Sequence, residues 1–290
     1  MCKKSPFISI VTPSLNQAAY IEENIKSVFN QNYPNFEHII IDGGSTDGTI
    51  DIIRKYDHLI WVSEKDSGQS QAINKGFKRA KGEIFGWLNS DDFLLPGAIS
   101  LIVEMYKKYP AAVAWVGGCY RVDPNGRILS CVIPHGLDRD SLADWGHRGF
   151  FYQPSCFFAA RAWKETGLLD EDLQFAFDLD MWLRLSSIGT FASTTDIISA
   201  AIIHKDAKTQ AQRRAMHAET VAIQVKHGYL GAAINRLVDL LEKPSWNSRM
   251  KIKLKASLKD LGNTLRILNR NEEPRHVQFP SDRFTKRNGL

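Results

Sequence analysis

Along the first hundred residues, short apolar runs alternate with polar loops and with segments whose apolar positions recur every three or four residues. Residues 7–11 form a β-branched apolar run that ends at Thr12, Pro13, Ser14, Leu15 and Asn16, so a first strand is expected to lead into a polar loop. Ile21, Ile25, Val28 and Phe29 follow at the spacing of a helix laid on a sheet. The pattern then repeats. Residues 37–41 read as a strand, Asp42 to Gly48 as a turn-rich loop and residues 49–55 as a helix. Residues 59–62 give a third strand, and Ala72, Ile73, Gly76, Phe77 and Ala80 give the next helix its apolar face. Residues 84–88 give a fourth strand. Strands separated by helices predict an α/β domain with a parallel sheet covered on both faces. Parallel strands deliver the loops after Val11, Ile41, Val62 and Leu88 to one edge, where open α/β sheets bind ligands, and Asp42, Asp66 and Asp91 would meet there.

Beyond Pro96, a helix carrying Leu101, Ile102 and Met105 leads to a fifth strand at 112–116. Pro124, Asn125 and Gly126 suggest a hairpin, and Trp145 to Gly149 an aromatic loop of the kind that tends to carry function. Residues 153–160 read as a strand, 163–169 as a short helix ending near Gly167, and 207–243 as helices. Met250, Leu254, Leu258, Leu261, Leu265 and Leu268 keep one helical face, with Arg249, Lys251, Lys253, Lys255, Lys259 and Arg266 around it. Two readings stay open for that segment: a leucine face packed on the domain, or a basic helix on an anionic membrane. The expected organisation is a domain over 1–205, a helical extension over 206–270 and a polar tail over 271–290.

Composition narrows the class. The chain has 290 residues, 43% hydrophobic and 24% charged, which is ordinary for a soluble globular protein. The net charge of +5 hides an asymmetry: residues 1–204 hold 19 Lys and Arg against 24 Asp and Glu, and residues 205–290 hold 18 against 8. The basic surplus is therefore C-terminal, and no recognised nucleic-acid motif accompanies it, so a nucleic-acid partner is not expected. Cys2, Cys119, Cys131 and Cys156 have no zinc-type spacing and read as reduced thiols of a cytoplasmic protein. No signal peptide or membrane-spanning run is expected, which leaves peripheral contact at the inner face of a membrane as the membrane association the chain allows.

The candidate chemistry lies in the loops. Asp91 and Asp92 are adjacent carboxylates that repel unless a cation sits between them, and a hard divalent ion carrying phosphate would explain them; the alternative is a helix cap. The glycine-rich loop at 42–48 could form a phosphate nest or only a tight turn, and it matches neither nucleotide fingerprint. Asp178 and Asp180 stand in an apolar, aromatic setting, which suits a carboxyl to general-base work. Asp178 is favoured as the base and Asp180 as the partner of Arg184 one helical turn on. His204, after Ile203, reads as a packing residue or a ligand.

The order ISIVTPSLNQAAYIEENIKSV, IIIDGGSTDGT, SEKDSGQSQAINKGFKRAKGEIFGWLNSDD and FDLDMWLRL resembles the bacterial family 2 glycosyltransferases over roughly residues 6–205. That resemblance implies a GT-A fold, a mostly parallel central sheet flanked by helices. It also implies an inverting transfer from a nucleotide diphosphate sugar of the UDP type to a hydroxyl of a saccharide or lipid-linked acceptor in surface polysaccharide synthesis. It places Thr12, Pro13, Ser14, Asn16, Asp42, Gly44, Lys65, Asp66, Asn74, Asn89 and Ser90 on the nucleotide-sugar side. Asn89, Ser90 and Asp91 align with the DXD motif, whose last aspartate binds Mg2+ or Mn2+, and His204 stands where some members place a further metal ligand. Asp178 stands at the base. Trp145, His147, Arg148, Tyr152 and Gln153 are expected on the acceptor side. Two positions depart from the pattern. Asn89 replaces the first DXD aspartate, which puts metal affinity in doubt, and Phe177 replaces an acidic partner that often precedes the base.

A sugar nucleotidyltransferase would show a glycine-rich, arginine-containing loop after the first strand, and the loop at 12–16 has no glycine. A non-catalytic nucleotide-sugar or carbohydrate-binding relative is the other alternative.

Overall fold

The computed structural model describes residues 5–204 and 212–241; the amphipathic segment at 249–268 and the tail from 271 lie outside the described residues. Strand β1 (Ile8–Ser14), helix α1 (Ile21–Phe29), β2 (Phe36–Asp42), α2 (Thr49–Ile53), β3 (Ile60–Ser63), α3 (Gln69–Arg79) and β4 (Ile84–Trp87) follow the expected alternation. After them come β5 (Asp92–Leu94), α4 (Ala98–Lys108), β6 (Ala114–Val122), β7 (Ile128–Val132), α5 (Arg139–Ala143), β8 (Cys156–Ala159), α6 (Ala160–Thr166), α7 (Phe177–Ile188), β9 (Phe191–Ile202), α8 (Arg213–Lys226) and α9 (Leu230–Leu241).

The strands form one sheet in the order β3-β2-β1-β4-β8-β6-β9-β5, with β7 paired to β6 as a hairpin. The first four are parallel, as the sequence pattern predicts. Strand β8 runs antiparallel to both of its neighbours, and β9 runs parallel to β6. The parallel half therefore continues into a mixed half that the alternation did not foreshadow.

Strand β1 runs three residues past its apolar stretch, because Thr12, Pro13 and Ser14 pair with Ile40, Ile41 and Asp42 of β2. Pro13 is tolerated there because pairing with β4 stops at Val11, so a proline that offers no N–H leaves no ladder bond unmade on that side. The Ser90 hydroxyl instead donates to the Pro13 carbonyl at 2.7 Å. Ser14, Asp42 and Ser63 are in register across three strands, which aligns the strand ends on one rim.

Behind that rim, Phe77, Phe85, Phe158 and Trp163 pack ring on ring between α3, the sheet and α6. Helix α3 lies tight on β1: a Cβ at Gly76 would come within 2.3 Å of Val11 Cγ1. Helices α8 and α9 belong to the same compact unit as the sheet, Met1–Leu241. Gln224 of α8 is fully buried and donates to the Ala143 carbonyl at 2.8 Å.

Candidate active site

The end of β2 is organised by Asp42. Its carboxylate accepts the Gly44 and Ser45 amides at 2.9 Å each, and the Ser45 and Ser63 hydroxyls at 2.5 and 2.7 Å. The glycine-rich loop is thus a turn closed on its own aspartate, with those two amides already engaged. Asn16, with a positive φ of 53°, accepts from the Thr46 amide and so ties the first loop to the second. Thr12 is buried against Asn24 and His38, and burial lowers the His38 pKa to about 3, so its ring stays neutral.

Asp66 closes over this loop. A Cβ at Gly43 would meet its Oδ2 at 2.8 Å, so a larger residue there would have to push the Asp66 carboxylate aside. Burial raises the Asp66 pKa, and the Gly68 amide, bonded at 3.0 Å, works against that. Lys65 is exposed, and its side chain passes within 3.6 Å of a Cβ placed on Gly44. Asn74 is fully buried, where its amide holds Leu169 and Glu171 rather than facing the rim.

At the end of β4 the two adjacent carboxylates part. Asp92 turns inward, where burial and the charge of Asp91 raise its pKa well above the usual range, so proton uptake relieves the repulsion. Asp91 faces His204, with Oδ2 and Nε2 3.1 Å apart. The His204 ring packs on Tyr20 at 5.0 Å, and its Nδ1 is buried with no hydrogen-bond partner among the described residues. Neither aspartate caps the following helix: the N-cap of α4 is Gly97. Asn89 is locked in place, its Oδ1 accepting from Trp87 Nε1 and Gln69 Nε2 at 2.8 Å each.

Asp91 and His204 offer one carboxylate and one imidazole. Among the described residues no group of three or more His, Cys, Asp or Glu side chains is gathered that could hold an ion alone. That donor set fits a divalent cation of the Mg2+ or Mn2+ kind when a bound diphosphate completes its shell, since Mg2+ usually keeps one or two carboxylates plus phosphate oxygens.

The start of helix α7 packs against the end of β4. Phe177 stacks on Trp87 with centroids 5.4 Å apart, and the Trp87 indole holds Asn89. Just ahead, Gln174 lies within 3.8 Å of a Cβ placed on Gly68. Asp178 is half-buried and is not the cap of its helix; it accepts the Leu179 amide at 2.7 Å. Burial pushes its pKa up to about 6, against the pull of that amide and with a further push from the charge of Glu219. Asp180 pairs with Arg184 at 2.8 Å as the spacing predicts, and also meets His227 at 2.9 Å and Lys226 at 3.2 Å.

The residues expected on the acceptor side divide. Gln153 donates to the Trp87 carbonyl at 2.6 Å and so belongs to the β4 end. Tyr152 is half-buried, edge-on to Phe150. His147 is held between Asp144 and Asp239 at 3.0 and 2.9 Å, and the Trp145 carbonyl accepts from Arg236, so this loop is tied to α9. Arg148 is exposed, with its amide on the Asp144 carbonyl.

The sequence model described as Glycosyl transferase family 2 matches residues 9–163, more than half of the chain. This chain belongs to glycosyl transferase family 2. Chondroitin synthase of Escherichia coli is 29% identical over 207 residues, which is 70% of this chain but 30% of that protein. The chain therefore spans less than a third of that relative's length. S. aureus TarS 1–349, solved in complex with UDP-GlcNAc, superposes with a TM-score of 0.62 at 16% identity over 87% of this chain and 71% of that one. Mannosyltransferase PcManGT from Pyrobaculum calidifontis, in complex with GDP-Man and Mn2+, gives 0.58 at 18% identity over 91% and 81%. At such identities the likeness is one of fold, and the fold is the GT-A type that the sequence resemblance implies.

Two side chains at the site of this family 2 glycosyltransferase escaped the sequence reading. Gln69 was hidden because a polar residue opening a helix looks like ordinary solvent-facing surface. Glu219 lies 43 residues or more from the amides it meets, and nothing in the pattern of α8 distinguishes it.

Proposed function

We propose that this chain transfers a sugar from a UDP-sugar to a hydroxyl of a saccharide or lipid-linked acceptor in surface polysaccharide synthesis, by a single inverting displacement assisted by a divalent cation. The observation that carries the reading is Asp178. It is a half-buried carboxyl with a raised pKa and, among the described residues, no cation paired to it, joined through Phe177, Trp87 and Asn89 to the loop that bears Asp91. The UDP-GlcNAc complex of TarS and the polysaccharide product implied by the name chondroitin synthase support the donor and acceptor classes. The Mn2+ complex of PcManGT supports the cation.

In this reading Asp42, with Thr12, Pro13, Ser14, Asn16, Gly44, Lys65 and Asp66, lines the nucleotide end, and Asn89 and Ser90 hold the loop that presents Asp91. Asp91 and His204 would hold the cation, which when bound supplies positive charge to the departing diphosphate. Asp178 accepts the proton of the acceptor hydroxyl as its oxygen bonds to the anomeric carbon, and the bond from that carbon to the diphosphate breaks with its electron pair leaving on the diphosphate. One base and one displacement invert the anomeric configuration.

The test is nucleoside diphosphate release from a panel of UDP- and GDP-sugars with saccharide and lipid-linked acceptors, with Mn2+ or with EDTA, and the product anomer read by NMR. Release from a UDP-sugar, lost with EDTA, with an inverted product is expected. A retained configuration, or no release from any donor, would overturn the reading.

A further inference from the structure

Helix α7 begins without a side-chain cap of its own, and Ala176 stands at its N-cap. The amides leading into it converge on one carboxylate from another helix. Glu219 of α8 accepts the Gln174 amide at 2.8 Å through Oε1, and the Phe175 and Ala176 amides at 2.5 Å each through Oε2. Bonds from N–H groups to an ionised carboxylate are among the stronger hydrogen bonds in proteins, and three on one group fix the backbone that carries them. Asp178 follows two residues later.

The carboxylate is itself held in place. Helix α8 is anchored on the Ala143 carbonyl by buried Gln224, and on Asp180 by Lys226 and His227. The helix therefore grips α7 on both sides of Asp178, at the incoming backbone and at Asp180.

We propose that Glu219 is a positioning residue for the base: by accepting the amides of residues 174–176 it fixes the start of α7, the helix that carries Asp178. The inference rests on the reading of Asp178 as the base. Among the described residues, Glu219 is the charged group whose charge raises the Asp178 pKa, a smaller effect than burial. Asp180 on the same helix is turned to Arg184, Lys226 and His227, and Asp66, at the end of the loop that meets Gln174, carries its own bond from Gly68. A negative neighbour makes a carboxyl hold its proton more tightly. Glu219 thus raises the basicity of Asp178 as well as fixing its place.

Glu219→Gln keeps the shape and one acceptor oxygen but removes the charge, and Glu219→Ala removes both. In the full chain labelled with 13Cγ-aspartate, the Asp178 resonance is identified by its loss in Asp178→Asn and titrated by NMR. The titration midpoint is expected to fall by about half a pH unit or more in Glu219→Gln. In Glu219→Ala, hydrogen exchange at 174–176 is expected to speed roughly tenfold, since those amides lose their fixed acceptor. With the donor and acceptor that the wild type turns over, kcat is expected to fall roughly tenfold with the donor KM unchanged, as misplacement of a base predicts. An unchanged midpoint together with unchanged exchange at 174–176 in both variants would overturn the role of Glu219. Full turnover by Asp178→Asn would instead overturn the reading of the base, and the two failures are told apart because the titration and exchange do not depend on turnover.

Discussion

The two sides of α7 treat a carboxylate in opposite ways. On the side packed against α8, Asp180 is almost fully buried and meets Arg184, Lys226 and His227. Burial alone would raise its pKa, but the His227 hydrogen bond and the charges of Arg184 and Lys226 hold it well below the usual carboxylate range. Asp178, two residues earlier, has no cation among the described residues, and burial pushes it up to about 6. Two residues separate a carboxylate held by three basic side chains from one that has none among the described residues. A buried acid with its cations in place is architecture, and one left without them is poised to exchange a proton.

The contrast can be broken at either residue. Removing the charge in Asp180→Asn leaves the largely buried Arg184 guanidinium facing a neutral partner, while the half-exposed Lys226 can turn to water, and a loss of about 3 kcal/mol in urea unfolding is expected. The sign for pH follows from the lowered pKa. The contribution of Asp180 is complete above the unfolded carboxyl range and is lost only as the pH falls through its lower folded value. Asp180→Asn should therefore destabilise the chain at pH 7, and the difference from wild type should narrow in strong acid.

Asp178 gives a smaller effect, on rate. A base with a pKa of about 6 must be ionised to act, so kcat/KM should fall about tenfold per pH unit below 6. A profile that stays flat to pH 4.5 would count against Asp178. The smallest expected change is in stability. The folded state holds the Asp178 proton more tightly than the unfolded chain does, so at pH 8 the ionised carboxylate opposes folding. Asp178→Asn should leave Tm at pH 8 unchanged or higher, and a fall of several degrees would mean that Asp178 belongs to the architecture after all.

The rim formed by β1 to β4 was legible because each strand is an apolar run between a helix period and a turn, so Asp42, Asp66 and Asp91 fall at predictable ends. The second half was less so. Strand β5 is three residues long and pairs with β9 more than a hundred residues later, a distance no local pattern reports. In the site, the pairing of Asp180 with Arg184 was legible because a helical turn spaces it. The inward turn of Asp92 was not, because adjacent acids look alike until burial separates them. Asn74 looked available in sequence but is fully buried and holds a distant loop. The phosphate-nest reading of the glycine-rich loop met the same difficulty, since the acceptor of its amides is the aspartate that opens it.

The most direct test of the account compares wild type and Asp178→Asn in two assays on the same preparation: UDP-sugar binding by calorimetry with Mn2+, and UDP release in the presence of acceptor. Equal binding with release lowered by roughly 10²–10⁴-fold is expected if the carboxylate takes the acceptor proton. Release within a few-fold of wild type at equal binding would contradict it.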